Sequence, residues 1–212
     1  MQVEEIIGSL PERLDGKTCI FDYDGTLTRI NTGGLLQARL ASARLKGLGR
    51  VVALLRGLLS KMYNTGILKI NYEYLIARLF LAGITMGDPR LARAARTVEM
   101  ESLAEHNRIP GAWKLLLETA RRGCSICILS NSPLPLHSLR GETGARIISR
   151  GSIVKALVVP QLYRRPLRKE GYMRSCGGPP ILAVSDSPGD LPGWVPFRVL
   201  VDPGSGMLEL LS

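Results

Sequence analysis

The stretch TCIFDYDGTLT, residues 18–28, carries a short apolar run directly into two aspartates that stand two positions apart. The run Thr18–Phe21 is continuous rather than alternating, which is typical of a strand covered on both faces of a parallel sheet. Ionised carboxylates at the end of a buried strand raise the free energy of the fold unless a partner compensates their charge. Because residues i and i+2 of an extended chain point the same way, Asp22 and Asp24 are predicted to face one ligand.

Three further runs have the same continuous apolar pattern: Ser125–Leu129, Ile181–Val184 and Val199–Val201. Together the four runs predict an α/β fold built on a parallel sheet. The first three runs along the chain end in polar clusters, which read DYDGT, SNS and SDSPGD. Ligands of open α/β sheets bind beyond the carboxyl ends of the strands, so these clusters are predicted to converge on one site.

Length and composition predict one domain, or one domain that carries a large insertion. The chain has 212 residues, of which 45% are hydrophobic, and such a composition argues against a disordered chain. The N-terminal residues MQVEEIIGSL are acidic, unlike a signal peptide, and the sequence holds no apolar run long enough to span a bilayer. We therefore expect a cytoplasmic protein.

The formal net charge of +10 favours anionic partners. Phosphorylated small molecules, nucleic acid and an anionic membrane surface all fit this charge. A generally basic surface without a specific partner is the alternative interpretation. The charge leaves the oligomeric state open.

The segment between the first two strands, residues 32–108, is rich in Leu, Ala and Arg and is predicted to be helical. Within it, Asp88-Pro89 has the pattern of an N-cap followed by proline at the first helical position. We interpret the segment as a small helical cap with hinges at Gly33-Gly34 and at Arg108–Gly111. Basic and apolar residues are interleaved near Gly47–Met62, as in helices that lie on anionic membranes or contact nucleic acid.

Other local patterns complete the predicted elements. The sequence GAWKLLLETARRG, residues 111–123, predicts a helix that stops at Gly123. The sequence ARIISRGSIVKALVV, residues 145–159, is compatible with a β-hairpin whose turn is Gly151-Ser152. The four cysteines are predicted to be core residues, because Cys124 and Cys127 form a C-x-x-C inside an apolar strand and no second pair has zinc spacing.

The two aspartates have the chemistry of a phosphate-ester site. One carboxylate can attack phosphorus and form an aspartyl-phosphate, while a second acid protonates the leaving oxygen and then activates water. Mg²⁺ prefers hard oxygen ligands and would compensate the carboxylate charges at the strand end. Gly25 allows the backbone to approach a phosphate closely, and Thr26 offers a hydroxyl and an N–H group.

The pattern D-x-D-G-T-L-T after an apolar strand resembles motif I of the haloacid dehalogenase (HAD) phosphatase superfamily. Ser130-Asn131 in ILSNS is similar to motif II, and VSDSPGD, with Asp186 and Asp190, is similar to motif IV. The motifs follow in the family's order over Lys17–Asp202, and the insertion lies where phosphoserine phosphatase-like members have their helical C1 cap. The resemblance implies a Rossmann-like three-layer core, residues 1–31 and 109–212, and a cap domain, residues 32–108.

The resemblance also implies a role for each matched residue. Asp22 would be the nucleophile and a Mg²⁺ ligand, and Asp24 the general acid/base with its backbone carbonyl on the metal. Asp186 would complete the metal site, and Asp190 would support it without direct contact. The residues implied to hold and position the phosphate are Gly25, Thr26, Ser130 and Asn131.

The family's motif III requires a lysine that neutralises the phosphoryl group and the nucleophile. Lys169 in PLRKEGYM is the best match, Lys155 is the alternative and Arg168 is a poorer one. Two positions depart from the family pattern. Ser185 stands where relatives usually have glycine, and Asn31 stands where phosphoserine phosphatases place an acid.

The resemblance implies a Mg²⁺-dependent phosphomonoesterase that hydrolyses a small anionic phosphorylated metabolite. The acid missing at position 31 argues against phosphoserine itself, and Arg29 with the arginines of the insertion is a candidate ligand for a carboxylate or second phosphate. One alternative keeps the chemistry and makes the substrate a phospholipid or, less favoured, a nucleic-acid phosphate. Another is a HAD-like binding protein without turnover, although four retained carboxylates would repel one another without a metal.

Overall fold

A computed structural model describes residues 2–42, 89–132, 134, 136–149, 173 and 176–211, together with residues 51, 54, 57, 58, 61, 62 and 65. Its helices are α1 (Val3–Ser9), α2 (Thr32–Ser42), α3 (Pro89–Leu103), α4 (Pro110–Arg121) and α5 (His137–Thr143). Its strands are β1 (Thr18–Phe21), β2 (Ser125–Ser130), β3 (Arg146–Ser149), β4 (Pro180–Ser185), β5 (Phe197–Val201) and β6 (Leu208–Leu211). Short 3₁₀ helices span Glu105–Asn107 and Pro188–Asp190.

The six strands form one sheet in the order β3-β2-β1-β4-β5-β6. Neighbouring strands are parallel except β5 and β6, which are antiparallel. The four apolar runs of the sequence are the strands β1, β2, β4 and β5, so the predicted α/β fold with its largely parallel sheet is confirmed. The sequence analysis did not assign β6 as a strand.

Strand β1 lies between β2 and β4, and its register brings the strand ends together. Phe21, the last residue of β1, is paired with Ile128 of β2 and with Val184 of β4. Strands β2 and β4 then continue only to Ser130 and Ser185. The polar residues that follow these three strands therefore begin at the same edge of the sheet, as the sequence predicts.

The continuous apolar pattern of β1 arises because both of its faces are buried. Cys19 and Phe21 belong to the large core cluster that includes α1 and α4, whereas Ile20 packs with Cys127 and Leu129 in a second cluster. Alternate residues of a strand point to opposite faces, so each face receives its own apolar layer. A strand buried in this way has no solvent-facing positions that would give an alternating pattern.

Helix α4 begins and ends where its sequence predicts. Pro110 occupies its first turn, where a missing N–H leaves no helical hydrogen bond unmade. Leu115 and Leu116 on its inner face are fully buried. Gly123 follows the helix at φ +88°, and a Cβ at this position would lie 2.3 Å from a carboxylate oxygen of Asp15. The backbone angle therefore favours glycine there, and any other side chain would also have to displace the Asp15 carboxylate.

The two ends of the predicted cap are joined closely to the sheet. Helices α2 and α3 pack on each other, and Leu36 and Val98 belong to the same core cluster as β1. Pro89 is the first residue of α3, as predicted. The proposed hinge at Gly33-Gly34 lies in the first turn of α2, and Pro110 opens α4. Most of the segment between them lies outside the described residues, so the division into core and cap stays a prediction.

The predicted β-hairpin is described only in its first half. Arg146–Ser149 forms β3, and the pairing of this strand is parallel to β2. The predicted turn at Gly151-Ser152 and the return strand lie outside the described residues. None of the helices described here combines the length and the apolar character needed to cross a membrane.

The four cysteines are buried, as predicted, but the bond between two of them was not predicted. Cys127 of β2 and Cys176 ahead of β4 form a disulfide that links positions 49 residues apart. Both belong to the apolar cluster beneath Ile20, on the face of the sheet away from α4. Cys19 and Cys124 are buried free thiols, and a hydrogen bond between them together with burial raises the pKa of Cys19. The spacing of the cysteines did not indicate this disulfide, because Cys127 and Cys176 are far apart in sequence and come together only in the folded chain.

Reduction of the Cys127–Cys176 disulfide is expected to lower the free energy of unfolding by about 4 kcal/mol, the chain-entropy value for a loop of this length. Denaturant unfolding with and without a phosphine reductant measures the difference. A double variant with Cys127→Ala and Cys176→Ala is the control, because its stability should not respond to reductant. Four titratable thiols in the unreduced, denatured protein would contradict the bond.

Candidate active site

The candidate site is built on the residue that follows β1. The N–H of Asp22 donates to the carbonyl of Val184 at 2.9 Å, which extends the pairing of β1 with β4 by one residue. The Asp22 side chain is 8% exposed. Its Oδ1 accepts the N–H of Tyr23 at 2.7 Å. Backbone hydrogen bonds thus place a largely buried carboxylate at the centre of the sheet edge.

Ser185, the departure from the family pattern, faces this carboxylate. Its Oγ lies 3.4 Å from Oδ2 of Asp22, and it accepts the N–H of Ser187 at 3.2 Å. The buried hydroxyl therefore turns toward Asp22 rather than into the turn at Gly25. A serine at this position adds a polar contact to the carboxylate that a glycine would not supply.

A tight turn brings Asp186 against the backbone that follows Asp22. Gly25 adopts φ +76°, and a Cβ built on it would lie 2.3 Å from Oδ2 of Asp186. The N–H of Asp186 donates to the hydroxyl of Thr26 at 2.9 Å. The missing side chain of Gly25 therefore leaves the space that the Asp186 carboxylate occupies. Two of the predicted metal-binding aspartates, Asp22 and Asp186, come from adjacent strand ends.

Thr26 and Ser130, which the resemblance implies hold phosphate, are both buried. The N–H of Thr26 donates to the Tyr23 carbonyl, and its hydroxyl accepts from Asp186. The Ser130 hydroxyl accepts the N–H of Ser132 at 2.9 Å. Both hydroxyls thus tie loops of the site together. Asn131 is exposed beside Ser130.

Asp24 is half-buried, and its carboxylate is held by residues that the sequence analysis did not identify. The Thr32 hydroxyl donates to Oδ2 of Asp24 at 2.9 Å. The same hydroxyl lies 2.7 Å from the hydroxyl of Ser132. Thr32 opens α2 and Ser132 follows β2, so a contact across 100 positions of sequence orients Asp24. A threonine at a helix start is ordinary capping chemistry, and no sequence signal distinguishes this one.

Asp190 shares a small cavity with Asp22. The cavity has a volume of about 10 Å³, and Ser185, Leu129 and Met173 also line it. A space of this size is close to the smallest that holds one water molecule. The 3₁₀ helix Pro188–Asp190 therefore brings Asp190, the second acid of the predicted motif IV, close to Asp22. The supporting role of Asp190 stays a prediction.

Other predicted ligands are engaged elsewhere or lie outside the described residues. Arg29 donates from Nη1 to the carbonyls of Pro203 and Gly204, at 2.9 and 2.6 Å. These bonds attach it to the turn between β5 and β6, which gives no support to its predicted role as a substrate ligand. The Asn31 side chain accepts the N–H of Gly34 at 2.8 Å and caps α2. The motif III candidates lie outside the described residues: Lys155, Arg168 and Lys169.

Helix α3 is attached to the site by a buried tyrosine. The Tyr23 hydroxyl lies 2.7 Å from the Ser102 hydroxyl of α3. Burial raises the pKa of Tyr23, and the nearby carboxylates of Asp24 and Glu99 add to this effect. Tyr23 thus stays neutral and serves as a hydrogen-bonding link. The Glu99 carboxylate accepts the N–H of Ser138 in α5. Neither contact was predicted from the sequence.

The atoms that the resemblance assigns to the metal are all oxygens, which is the kind of ligand that Mg²⁺ prefers. Among the residues that the structure describes, no group of three or more His, Cys, Asp or Glu side chains is arranged to hold a metal ion. The resemblance requires fewer side chains, namely the carboxylates of Asp22 and Asp186 with the backbone carbonyl of Asp24. Mg²⁺ is commonly bound through one or two carboxylates and keeps several waters. The space over Gly25, which the Asp186 carboxylate fills, is the structural feature that permits this set.

Comparisons of the chain with protein-family models, with curated proteins and with solved structures find no match. The resemblance to the HAD superfamily therefore depends on the motifs and on where the structure places them.

Gly25→Ala is expected to displace Asp186, because the added Cβ would collide with its carboxylate. The alanine would also be strained at the positive φ of this position. Loss of a group that positions a metal ligand typically weakens metal binding by about 10- to 100-fold. Isothermal titration with Mg²⁺ measures this effect, and thermal unfolding reports any loss of stability. Gly8→Ala in α1 is the matched control, because a Cβ there meets nothing within 4 Å. Equal Mg²⁺ affinity in the two variants would contradict the arrangement.

Proposed function

We propose that this protein is a HAD-type, Mg²⁺-dependent phosphomonoesterase acting on a small anionic phosphorylated metabolite. The observation that carries the proposal is the Gly25 turn after Asp22, against which Asp186 packs, at the carboxyl ends of β1 and β4. Parallel α/β sheets bind their ligands at this edge. In this proposal residues 1–31 and 109–212 form a three-layer core, residues 32–108 form a helical cap, and the protein acts in the cytoplasm.

The chemistry follows from the positions of the two aspartates after β1. A carboxylate oxygen of Asp22 attacks phosphorus, the bond from phosphorus to the ester oxygen breaks, and an aspartyl-phosphate forms. Asp24 gives its proton to the leaving oxygen. The Asp24 carboxylate then takes a proton from water, which attacks phosphorus and releases phosphate from Asp22. Each carboxylate ends in the state in which it began.

The surroundings of Asp22 suit the nucleophilic role. The Tyr23 N–H and the Ser185 hydroxyl orient the carboxylate, and its burial keeps bulk water from one side. When bound, Mg²⁺ would reduce the repulsion between the carboxylates and the phosphate through Asp22, Asp186 and the Asp24 carbonyl. Lys169, with Lys155 as the alternative, remains the proposed cation of motif III.

A binding protein without turnover is a weaker proposal. Such a protein has no need for a half-buried Asp24 that a dedicated hydroxyl orients. Carboxylates held close together repel one another, and they are retained where a metal or a proton transfer uses them. The arrangement therefore favours catalysis over binding alone.

Asp22→Asn is expected to abolish Mg²⁺-dependent hydrolysis of p-nitrophenyl phosphate, because an amide oxygen is a poor nucleophile and carries no charge for the metal. Initial rates with Mg²⁺ and with EDTA measure the effect. Asp15→Asn makes the same change at an exposed residue before the opposite end of β1 and should leave the rate unchanged. Turnover retained in Asp22→Asn would overturn the proposed nucleophile. Wild-type protein that neither turns over nor binds Mg²⁺ would favour the binding protein.

One observation supports a second candidate, a HAD-type phosphatase that acts on a phospholipid at an anionic membrane. Val51, Leu54 and Leu58 are helical residues spaced for one helix face, and they are 49%, 65% and 56% exposed. Arg50, Arg56 and Lys61 accompany them in the sequence. Helices that lie in a membrane surface combine an apolar face of this kind with basic residues.

If this second candidate is right, vesicles that contain phosphatidylglycerol should sediment the protein and phosphatidylcholine vesicles should not. A variant with Leu54→Gln and Leu58→Gln should lose this binding, because it removes the apolar contact. Leu117→Gln, at an apolar residue of α4 that is 57% exposed, is the matched control. Equal loss of binding at modest salt in all three proteins would indicate only diffuse charge attraction and would reject the candidate.

A further inference from the structure

A buried hydroxyl lies between Asp24 and the loop that follows β2. Thr32 is fully buried at the start of α2, and Ser132 is 1% exposed. The Thr32 hydroxyl is 2.9 Å from Oδ2 of Asp24 and 2.7 Å from the Ser132 hydroxyl. The three groups thus form a chain, in which Thr32 is within hydrogen-bond distance of both Asp24 and Ser132.

The direction of every hydrogen bond in this chain follows from counting protons. A hydroxyl has one proton to donate, and Thr32 donates it to Oδ2 of Asp24, an oxygen that can accept both in the carboxylate and in a carboxyl group protonated on Oδ1. The bond between the hydroxyls must then use the Ser132 proton, with Thr32 accepting. Ser132 in turn accepts the N–H of Leu134 at 3.2 Å. The sequence of donors therefore runs from a backbone N–H through two hydroxyls to the carboxylate of Asp24.

We propose that Thr32 is the positioning residue for Asp24, and that it holds this carboxyl group in the orientation that proton transfer to the leaving oxygen requires. The inference rests on the proposed phosphatase function. A chain of aligned hydroxyls strengthens each of its bonds, so Ser132 supports Thr32 in this role. Two elements, the start of α2 and the loop after β2, must both be in place for Asp24 to be oriented.

The position of Thr32 explains how a residue in the first turn of α2 affects chemistry at the end of β1. The Asn31 side chain caps the same helix start through the N–H of Gly34, which holds the backbone at Thr32 in a helical conformation. A displacement of this helix start would move the hydroxyl away from Asp24. Asp24 is consequently oriented only when α2 is seated on the sheet.

General acid assistance matters most when the leaving group is a poor one. An alkoxide needs a proton as it departs, whereas p-nitrophenoxide departs readily without one. Loss of the Thr32 hydroxyl should therefore reduce turnover of an alkyl phosphate more than turnover of p-nitrophenyl phosphate. A residue with a merely structural role would affect both substrates equally.

The test compares kcat/KM for β-glycerophosphate and p-nitrophenyl phosphate in the Mg²⁺-loaded wild type, Thr32→Val and Thr32→Ser. Thr32→Val should lower kcat/KM for the alkyl phosphate by at least about tenfold, a fraction of the full effect of a general acid, and the aryl phosphate by less. Thr32→Ser retains the hydroxyl, so its kcat/KM for the alkyl phosphate should be close to that of the wild type. Thr119→Val, which removes a buried hydroxyl that donates to the carbonyls of Leu115 and Leu116 in α4, should match the wild type.

Ser132→Ala keeps the inference testable if Thr32→Val does not fold, because it removes the donor to Thr32 and should produce a smaller loss with the same substrate preference. The inference would be overturned if Thr32→Val kept the wild-type ratio of kcat/KM for β-glycerophosphate to kcat/KM for p-nitrophenyl phosphate. The same result in Ser132→Ala would overturn it if Thr32→Val does not fold. Either result would leave the phosphatase function intact. An equal fall on both substrates would overturn it as well. A wild type inactive on both substrates would overturn the proposed function, and this inference with it.

Discussion

The parallel pairing of β1 with β2 on one side and with β4 on the other is the constraint on which the candidate site depends. Parallel strands leave a sheet at the same edge, so three segments distant in sequence meet there. The hydrogen bond from the Asp22 N–H to the Val184 carbonyl carries this pairing beyond the strand. Because β1 is buried on both faces, a shift by one residue toward the interior would draw the Asp22 carboxylate into the apolar core, which is costly. The position of Asp22 is therefore secured by the sheet and not by contacts of its own side chain.

The turn after Asp22 holds the residue that follows β4 against the residues that follow β1. Gly25 leaves space for the Asp186 carboxylate, and the Thr26 hydroxyl accepts the N–H of Asp186. Carboxylates brought together away from bulk water raise the free energy of the fold. The Tyr23 N–H and the Thr32 hydroxyl offset part of that cost. A divalent cation, as proposed above, would offset more.

The sequence located the polar strand ends but not the contacts between them. The runs that became β1, β2, β4 and β5 were recognised from their apolar pattern, and the aspartates after β1 and β4 lie where that pattern placed them. By contrast, Ser132 and the disulfide partner Cys176 gave no local signal. Arg29, a candidate substrate ligand in the sequence, attaches a distant turn through backbone carbonyls. In each of these cases the partner lies far along the chain.

Sequence alone therefore determined which segments are buried strands, which residues follow them and what chemistry those residues offer. Apolar patterning and turn chemistry are local properties, since each depends on a few neighbouring residues. Only the tertiary structure decided that Thr32 orients Asp24, that Ser185 faces Asp22 and that Cys127 is joined to Cys176. These choices depend on distances of a few ångströms between segments. Such distances are set by the register of the sheet and by the packing of helices on it, which no single stretch of sequence contains.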